Sequence, residues 1–132
     1  MTDTLLLCHL LDWNMEELRQ RRPALYRHVV ENFVATELVK LLSFSDVRAK
    51  LLHFRTSDHK EVDFVLERPD GTLAGIEIKT SERVDADDFS GLKTLAAVVG
   101  DDFTCGIVLY DGRDVVSFDK KLFAVPFETL WQ

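Results

Sequence analysis

The strongest constraint on the fold of this chain is a pair of alternating segments, Glu61–Glu67 and Leu73–Lys79, separated by a short turn. Within each segment, apolar and polar side chains alternate with the period of two that is typical of a β-strand. The turn between them is formed by Pro69, Asp70 and Gly71. Pro and Asp suit a type I turn, and Gly suits the left-handed residue that follows such a turn. The sequence therefore predicts a β-hairpin with a three-residue loop.

The length of this loop determines which side chains face each other across the hairpin. A three-residue loop pairs Arg68 with Thr72, and counting outwards along both strands then places Asp63 opposite Glu77. Directly opposed side chains have Cβ atoms about 4.5–5.5 Å apart, so two carboxylates in these positions would repel each other. A divalent cation relieves this repulsion, because hard cations such as Mg²⁺ prefer carboxylate oxygens. The register thus indicates a metal site.

Two alternatives to a metal site remain open at this hairpin. A two-residue loop on Asp70 and Gly71 would place Asp63 across from Ile78, on the wrong face of the sheet. The polar side chains would otherwise be the solvated face of the hairpin, on which Lys79 pairs with the opposing Glu61. In the metal-site hypothesis, the Lys79 ammonium reaches the two carboxylates, because it lies two residues beyond the second of them on the same face.

The remainder of the chain shows helical and strand-like patterns in turn. Residues 4–20 are predicted to form a short helix or helix pair, and residues 23–42 a long helix with Pro23 in its first turn. The apolar face of this long helix is predicted to run from Tyr26 to Leu41. Residues 51–56 are predicted as a strand and residues 85–99 as a helix. Phe103–Tyr110 is apolar on both faces, which predicts a central strand.

The end of the chain is predicted to contain two short edge strands. Asp111 and Gly112 are typical of a hairpin turn. Residues 115–118 and 122–125 follow as the edge strands, and Pro126 suits an edge because it donates no ladder hydrogen bond. Helices, three strands, a helix and further strands together predict the α/β class, with a mixed β-sheet flanked by helices.

Composition narrows the class of protein further. A length of 132 residues suits one domain, and the apolar stretches at residues 5–7 and 95–99 are too short to span a bilayer. The first residues lack the features of a secretory signal, so a cytoplasmic protein is expected. Cys8 and Cys105 have no CxxC partner and are predicted to be small core residues. A net charge of −7 argues against nucleic-acid binding by bulk charge, so any such binding needs a local basic patch or bound cations.

A longer set of motifs surrounds the hairpin. In chain order these are ENFV at 31–34, EL at 37–38, FRT at 54–56, EVDFV at 61–65, IEIK at 76–79, VP at 125–126 and LW at 130–131. The set resembles the PD-(D/E)XK nuclease superfamily. It resembles more closely a domain of unknown function found C-terminal to AAA+ ATPase modules in many bacterial and archaeal proteins. The resemblance extends from about residue 3 to residue 131.

The resemblance implies a fold and an activity. The fold is a mixed sheet flanked by helices in the order αβββαβ, a single nuclease-like domain over residues 1–132. Residues 23–132 would be its core and residues 1–22 an N-terminal helical extension. The implied activity is DNA phosphodiester hydrolysis dependent on Mg²⁺ or Mn²⁺. The alternative is a non-catalytic domain that binds DNA or regulates a partner protein.

The resemblance also assigns roles to residues. Asp63 and Glu77 are expected to bind the metal together with the Ile78 carbonyl. Lys79 is expected to be the catalytic lysine. Glu31 is expected to be an acid contributed by the long helix, as both metal ligand and catalytic residue.

The identity of the helical acid is open between two residues. Glu37 lies near the centre of the apolar helix face, where a carboxylate is costly unless it is paired or metal-bound. Glu31 lies at the edge of that face, with a leucine seven positions on, and fits the motif better. We therefore prefer Glu31 and retain Glu37 as second choice. The simpler alternative for Glu31 is a helical ion pair with Arg27.

Several basic residues are weaker candidates. Lys93, on the helix after the hairpin, is a second-choice site residue or an ordinary solvated lysine. Arg55, Lys60 and Arg83, with His53 and His59, flank the acidic strands and are candidates for phosphate contacts.

The expected partners are DNA and the AAA+ ATPase module of full-length relatives. This chain has no GxxxxGK[ST] phosphate loop, which leads us to expect a fragment or truncated product. A homodimer is a further candidate assembly.

Overall fold

Residues 15–44, 46 and 48–131 are described by the computed structural model and belong to two compact units, Met1–Phe44 and Ser45–Gln132. Cys8 and the first part of the helical pattern predicted over residues 4–20 lie outside the described residues. The predicted extension, residues 1–22, and the long helix that follows it both belong to the first unit.

The described part of the first unit consists of helices α1, Met15–Arg21, and α2, Pro23–Phe44. Pro23 is the first residue of α2, as predicted, because its missing N–H needs no partner there. The buried side chains of α2 follow helical spacing and are Tyr26, Val29, Val30, Phe33, Val34 and Leu38. Leu41, which we expected on this face, is 55% exposed. The buried face therefore ends at Leu38.

The second unit contains a six-stranded mixed sheet with the strand order β1-β2-β3-β4-β6-β5. The pairs β1–β2, β2–β3 and β5–β6 are antiparallel, whereas β3–β4 and β4–β6 are parallel. The strands are β1 Lys50–Arg55, β2 Glu61–Glu67, β3 Leu73–Lys79, β4 Phe103–Tyr110, β5 Val116–Asp119 and β6 Leu122–Pro126. The predicted α/β class with a mixed sheet is thus confirmed.

Helix α3, Ser90–Val99, connects β3 to β4 and packs on one face of the sheet. The helix predicted over residues 85–99 is preceded by a 3₁₀ turn, Ala86–Phe89, capped by Asp85. The core beneath α3 is Val62, Val65, Leu73, Phe89, Leu92, Leu95, Phe103, Val108, Tyr110, Leu122 and Ala124. Each large apolar side chain in such a core contributes about 1.5–3 kcal/mol. This packing fixes the start of α3 relative to β2 and β3.

Strand β4 is central, as predicted, because it lies between β3 and β6. The hairpin predicted at Asp111 and Gly112 is wrong, since β4 pairs with β6 in parallel and not with the next strand in the chain. The prediction of β6 as an edge strand is also wrong, whereas β5 is an edge. The physical reason lies in burial: Leu122 and Ala124 of β6 are buried, so β6 suits the place beside β4, and all four residues of β5 are exposed.

Another 3₁₀ turn, Phe127–Trp131, follows β6. Cys105 is a free, half-buried thiol on β4, and burial raises its pKa. Among the described helices, none is both long and apolar enough to cross a membrane.

Candidate functional site

The β2–β3 hairpin has the predicted three-residue turn. The Arg68 N–H donates to the Thr72 carbonyl and the Gly71 N–H donates to the Arg68 carbonyl, each at 2.9 Å. Gly71 has φ 89°, the left-handed conformation expected of it. Phe64 pairs with Ile76, and continuing this register by one residue places Asp63 opposite Glu77. The two-residue loop is therefore excluded.

The regular β2–β3 pairing ends at Phe64, at the end of the ladder away from the turn. Asp63, which precedes Phe64 in β2, makes a different contact. The Ile78 N–H of β3 donates to Asp63 Oδ2 at 2.8 Å. A carboxylate oxygen thus accepts a hydrogen bond that a backbone carbonyl accepts in a regular ladder. Asp63 is half-buried here. This contact ties the Asp63 side chain to β3 between Glu77 and Lys79.

A bulge in β2 lies beside this contact. Leu52 of β1 pairs with Val65 and Phe54 pairs with Val62, so β2 advances three residues where β1 advances two. Asp63 and Phe64 therefore both lie opposite His53, whose Nδ1 donates to the Asp63 carbonyl at 2.9 Å. Bulges re-aim side chains and interrupt pairing near functional sites.

The bulge also corrects the predicted side-chain alternation of β2. Strict alternation would place Val62 and Val65 on opposite faces. Both are instead buried in the core beneath α3. The extra residue between them resets the alternation, which the sequence pattern does not reveal.

Glu77 lies on the face of β3 that α3 covers. A Cβ added to Gly91 of α3 would lie 3.4 Å from Glu77 Oε2 and 2.0 Å from the carbonyl oxygen of Glu61. The missing side chain of Gly91 therefore allows the helix to approach β2 and the Glu77 carboxylate closely. We did not predict this role. The available signal was a glycine inside a helical pattern, which often marks close packing.

Lys79 forms an ion pair with a residue that we also did not predict. Its Nζ lies 2.5 Å from Asp88 Oδ2 in the 3₁₀ turn before α3, and the two side chains are 29% and 18% exposed. Glu61, the alternative partner considered for Lys79, instead pairs with Arg55 at 2.7 Å. The lysine is thus held between the end of β3 and the start of the helical segment.

These residues lie at one end of the sheet, which we call the site end. It contains the carboxyl ends of parallel strands β3 and β4, the start of β2, and the turn that leads into α3. Ligands of α/β sheets commonly bind beyond the carboxyl ends of parallel strands. Arg55, at the end of β1, and Lys60, just before β2, lie at this end as well. Arg83, in the β3–α3 connection, is exposed there.

Lys93 lies in a different environment from the site end. It is exposed on α3 and lines a cavity of about 330 Å³ beside the β5–β6 turn. The other polar residues of this cavity are Asp119, Lys120 and Lys121. The structure therefore does not bring Lys93 to the ion pair between Lys79 and Asp88.

The two candidate helical acids both lie on α2, in the first unit. Arg27 Nε donates to Glu31 Oε1 at 2.8 Å, the helical pair that the spacing allowed. Glu37 lies 3.6 Å from Lys40, and its side chain is 16% exposed against 30% for Glu31. Glu37 is thus the more buried of the two, as its place on the helix predicts, and the choice between them stays open.

The side chains of the site end suit a hard divalent cation by their chemistry. Asp63 and Glu77 offer carboxylate oxygens and Ile78 a carbonyl, the donors that Mg²⁺ and Mn²⁺ prefer. Within the described part of the chain, no group of three His, Cys, Asp or Glu side chains is placed to hold a metal ion. Two carboxylates still suffice for Mg²⁺, which usually keeps several of its waters. The donor set therefore fits a partly hydrated ion.

A family model matches most of the chain. The family model described as "Domain of unknown function (DUF4143)" matches residues 26–130, which include every predicted site residue. No curated protein and no solved structure matches the chain.

Proposed function

The chain belongs to the DUF4143 family, which is found in proteins associated with AAA ATPases, and we propose that it is a nuclease-like domain that hydrolyses DNA phosphodiester bonds with Mg²⁺ or Mn²⁺. On this proposal, its sheet and helices form a PD-(D/E)XK fold. The observation that carries the proposal is the hydrogen bond from the Ile78 N–H to Asp63 Oδ2, which brings the Asp63 carboxylate to β3 between Glu77 and Lys79.

Each residue of the site end has a role in this proposal. Asp63, Glu77 and the Ile78 carbonyl would hold the metal ion. The bound metal would supply positive charge to the phosphate and lower the pKa of a water molecule. Lys79 would position the attacking water and stabilise negative charge that develops on the phosphate.

The charge distribution supports a restricted contact with DNA. The chain as a whole carries a net charge of −7, so DNA binding must be local. Arg55, Lys60 and Arg83 are the cations at the site end that would contact phosphates. Since such contacts release counterions, binding should weaken as salt concentration rises.

A non-catalytic role as a DNA-binding or regulatory domain is the second candidate. It is supported by the described part of the chain, in which no group of three His, Cys, Asp or Glu side chains is placed to hold a metal ion. In that case, the AAA ATPase associated with the family would be the partner to regulate.

Plasmid nicking in the presence of Mg²⁺ or Mn²⁺ tests the first proposal. We expect nicking by the wild type and its loss in Glu77→Ala and Lys79→Ala. Glu67→Ala is the matched control, because Glu67 lies on the same hairpin beside its turn. Equal cleavage by all four proteins would show that the nuclease activity does not come from this site.

Calorimetry separates metal binding from catalysis. We expect Mn²⁺ binding in the wild type and in Lys79→Ala, and its loss in Glu77→Ala. DNA gel shifts with Ca²⁺ then test binding without cleavage. Absence of metal binding at millimolar Mn²⁺ would favour the non-catalytic role.

A further inference from the structure

The contact between Lys79 and Asp88 joins the end of β3 to the turn that begins the helical segment. Asp88 is only partly exposed, at 18%, and Lys79 is 29% exposed. A partly buried ion pair is screened less by salt than a surface pair. Lysine has a long flexible side chain, so a fixed partner restricts it to fewer positions.

Asp88 is itself fixed by the turn in which it lies. Its Oδ2 accepts a hydrogen bond from the Asp85 N–H at 2.8 Å, while the Asp85 side chain accepts one from the Asp87 N–H at 3.0 Å. The Asp85 side chain also accepts from the Asp88 N–H, and this bond forms a capping box with the bond from the Asp85 N–H to Asp88, which fixes both carboxylates relative to the backbone. One oxygen of Asp88 thus bonds to both the turn and the lysine.

Packing in the core fixes the position of this 3₁₀ turn. Phe89 follows Asp88 directly and is fully buried, and Leu92 on the first turn of α3 is fully buried as well. Gly91, also on the first turn of α3, lets this helix approach β2 closely. The Asp88 carboxylate is therefore already in position to bind the Lys79 ammonium, without a rearrangement of the turn.

We propose that Asp88 is a positioning residue of the site, which holds the Lys79 ammonium at the carboxyl end of β3 so that it can act on bound substrate. This inference rests on the proposed function of the site end. It adds a residue that lies outside the IEIK motif and on a different element. A site lysine held in this way loses less conformational freedom when substrate binds.

A pair of variants separates the charge of Asp88 from its capping role. Glu and Gln both suit the third helical position of a capping box, so Asp88→Glu and Asp88→Gln should both retain the turn. Only Asp88→Glu keeps a charge for Lys79. Asp87→Asn is the matched control, because it removes a neighbouring exposed charge and leaves the ion pair intact.

The first measurement is the chemical reactivity of Lys79, which does not depend on catalysis. The proteins are treated with a limiting amount of an acetylating reagent, and peptide mass spectrometry gives the labelling of Lys79 relative to exposed Lys93. We expect this ratio at least to double in Asp88→Gln, because a neutral amide holds an ammonium more weakly than a carboxylate does. It should stay near the wild-type ratio in Asp88→Glu and in Asp87→Asn.

The second measurement is plasmid nicking with Mn²⁺. We expect kcat to fall about 10- to 100-fold in Asp88→Gln, as for other residues that orient a catalytic group. The KM should change by less than about twofold, because substrate binding is not lost. Asp88→Glu should recover most of kcat.

The outcomes are distinct. Equal Lys79 labelling in Asp88→Gln and Asp88→Glu would overturn the proposal, and so would equal kcat values. If the wild type does not nick DNA, the proposed nuclease function fails, and the labelling ratios alone decide whether Asp88 holds Lys79.

Discussion

Asp63 and Asp70 lie at opposite ends of the same hairpin, and each carboxylate accepts a hydrogen bond from a backbone N–H. Asp70 accepts from the Thr72 N–H at 2.9 Å, two residues along the chain. Asp63 accepts from the Ile78 N–H at 2.8 Å, on the neighbouring strand. The Asp70 contact closes a turn, whereas the Asp63 contact replaces a hydrogen bond of regular strand pairing.

The surroundings of the two residues differ in the same way. Asp70 is exposed and bonds only within its turn, to both the N–H and the hydroxyl of Thr72. Asp63 is half-buried and lies one residue beyond the last β2–β3 pair, Phe64 with Ile76, where a regular ladder would set it across from Glu77. A carboxylate near a second carboxylate is unfavourable without a compensating cation. The comparison teaches that a bond within the turn accounts for Asp70, whereas Asp63 is held by a bond to the neighbouring strand, between two other predicted site residues.

The largest expected difference between the two ends is in activity. Asp63→Asn keeps an oxygen that can accept the Ile78 N–H bond but removes the negative charge. We expect nicking with Mn²⁺ to fall on the order of 100-fold or more, while the free energy of unfolding changes by no more than about 1 kcal/mol. Asp70→Asn is the control and should nick DNA like the wild type. Similar activity of both variants would remove the distinction between the two ends.

The next expected difference concerns two glycines. Gly91→Ala places a methyl group 2.0 Å from the Glu61 carbonyl oxygen, so α3 must shift, at a cost of about 1–3 kcal/mol in unfolding free energy. Gly71→Ala meets no atom within 4 Å, and its cost, about 1 kcal/mol, comes from the left-handed φ. Urea unfolding measures both.

Metal binding distinguishes the two glycine variants further. The shift of α3 in Gly91→Ala should disturb Glu77, so Mn²⁺ affinity should fall, whereas Gly71→Ala should bind Mn²⁺ normally. Unchanged affinity in Gly91→Ala would mean that the helix does not help to place Glu77.

The smallest expected effect is the acid sensitivity of the turn. The Thr72 hydroxyl, and then the Thr72 N–H, lower the pKa of Asp70 below its ordinary value of 3.8. A lowered pKa in the folded state stabilises the protein above pH 3.8 and loses this effect as the pH falls through the folded pKa. The urea midpoint of the wild type should therefore exceed that of Asp70→Asn at about pH 5, and the difference should shrink towards about pH 2.5. A difference that is constant over this range would contradict the assignment.

The features that the sequence predicted best are set by neighbouring residues. Pro69, Asp70 and Gly71 determine their turn, and the turn determines the register of β2 and β3. Pro23 likewise marks the start of α2. Local chemistry suffices in these cases, because each residue restricts its own backbone.

The features that were missed depend on contacts between distant segments. Asp88 was included in a helical pattern, and its contact with Lys79 exists only because α3 packs across the sheet. The bulge at Asp63 has no sequence signal, since the alternation of β2 continues through it. Strand β4 pairs with β6 and not with β5, the strand that follows it in the chain. The capping pattern of Asp85 and Asp88 was a local signal that could have indicated where the turn begins.

The mixed sheet has a consequence for the order in which the site forms during folding. Strands β2 and β3 are joined by a short turn, whereas β3 and β4 pair only after the chain has passed through α3. Hairpins form in about 1–10 μs, and pairings between distant segments form more slowly. Asp63 and Glu77 should thus come together before Lys79 contacts Asp88 in the turn that precedes α3. During refolding, amide-exchange protection should appear at residues 64–67 before it appears at residues 106–109.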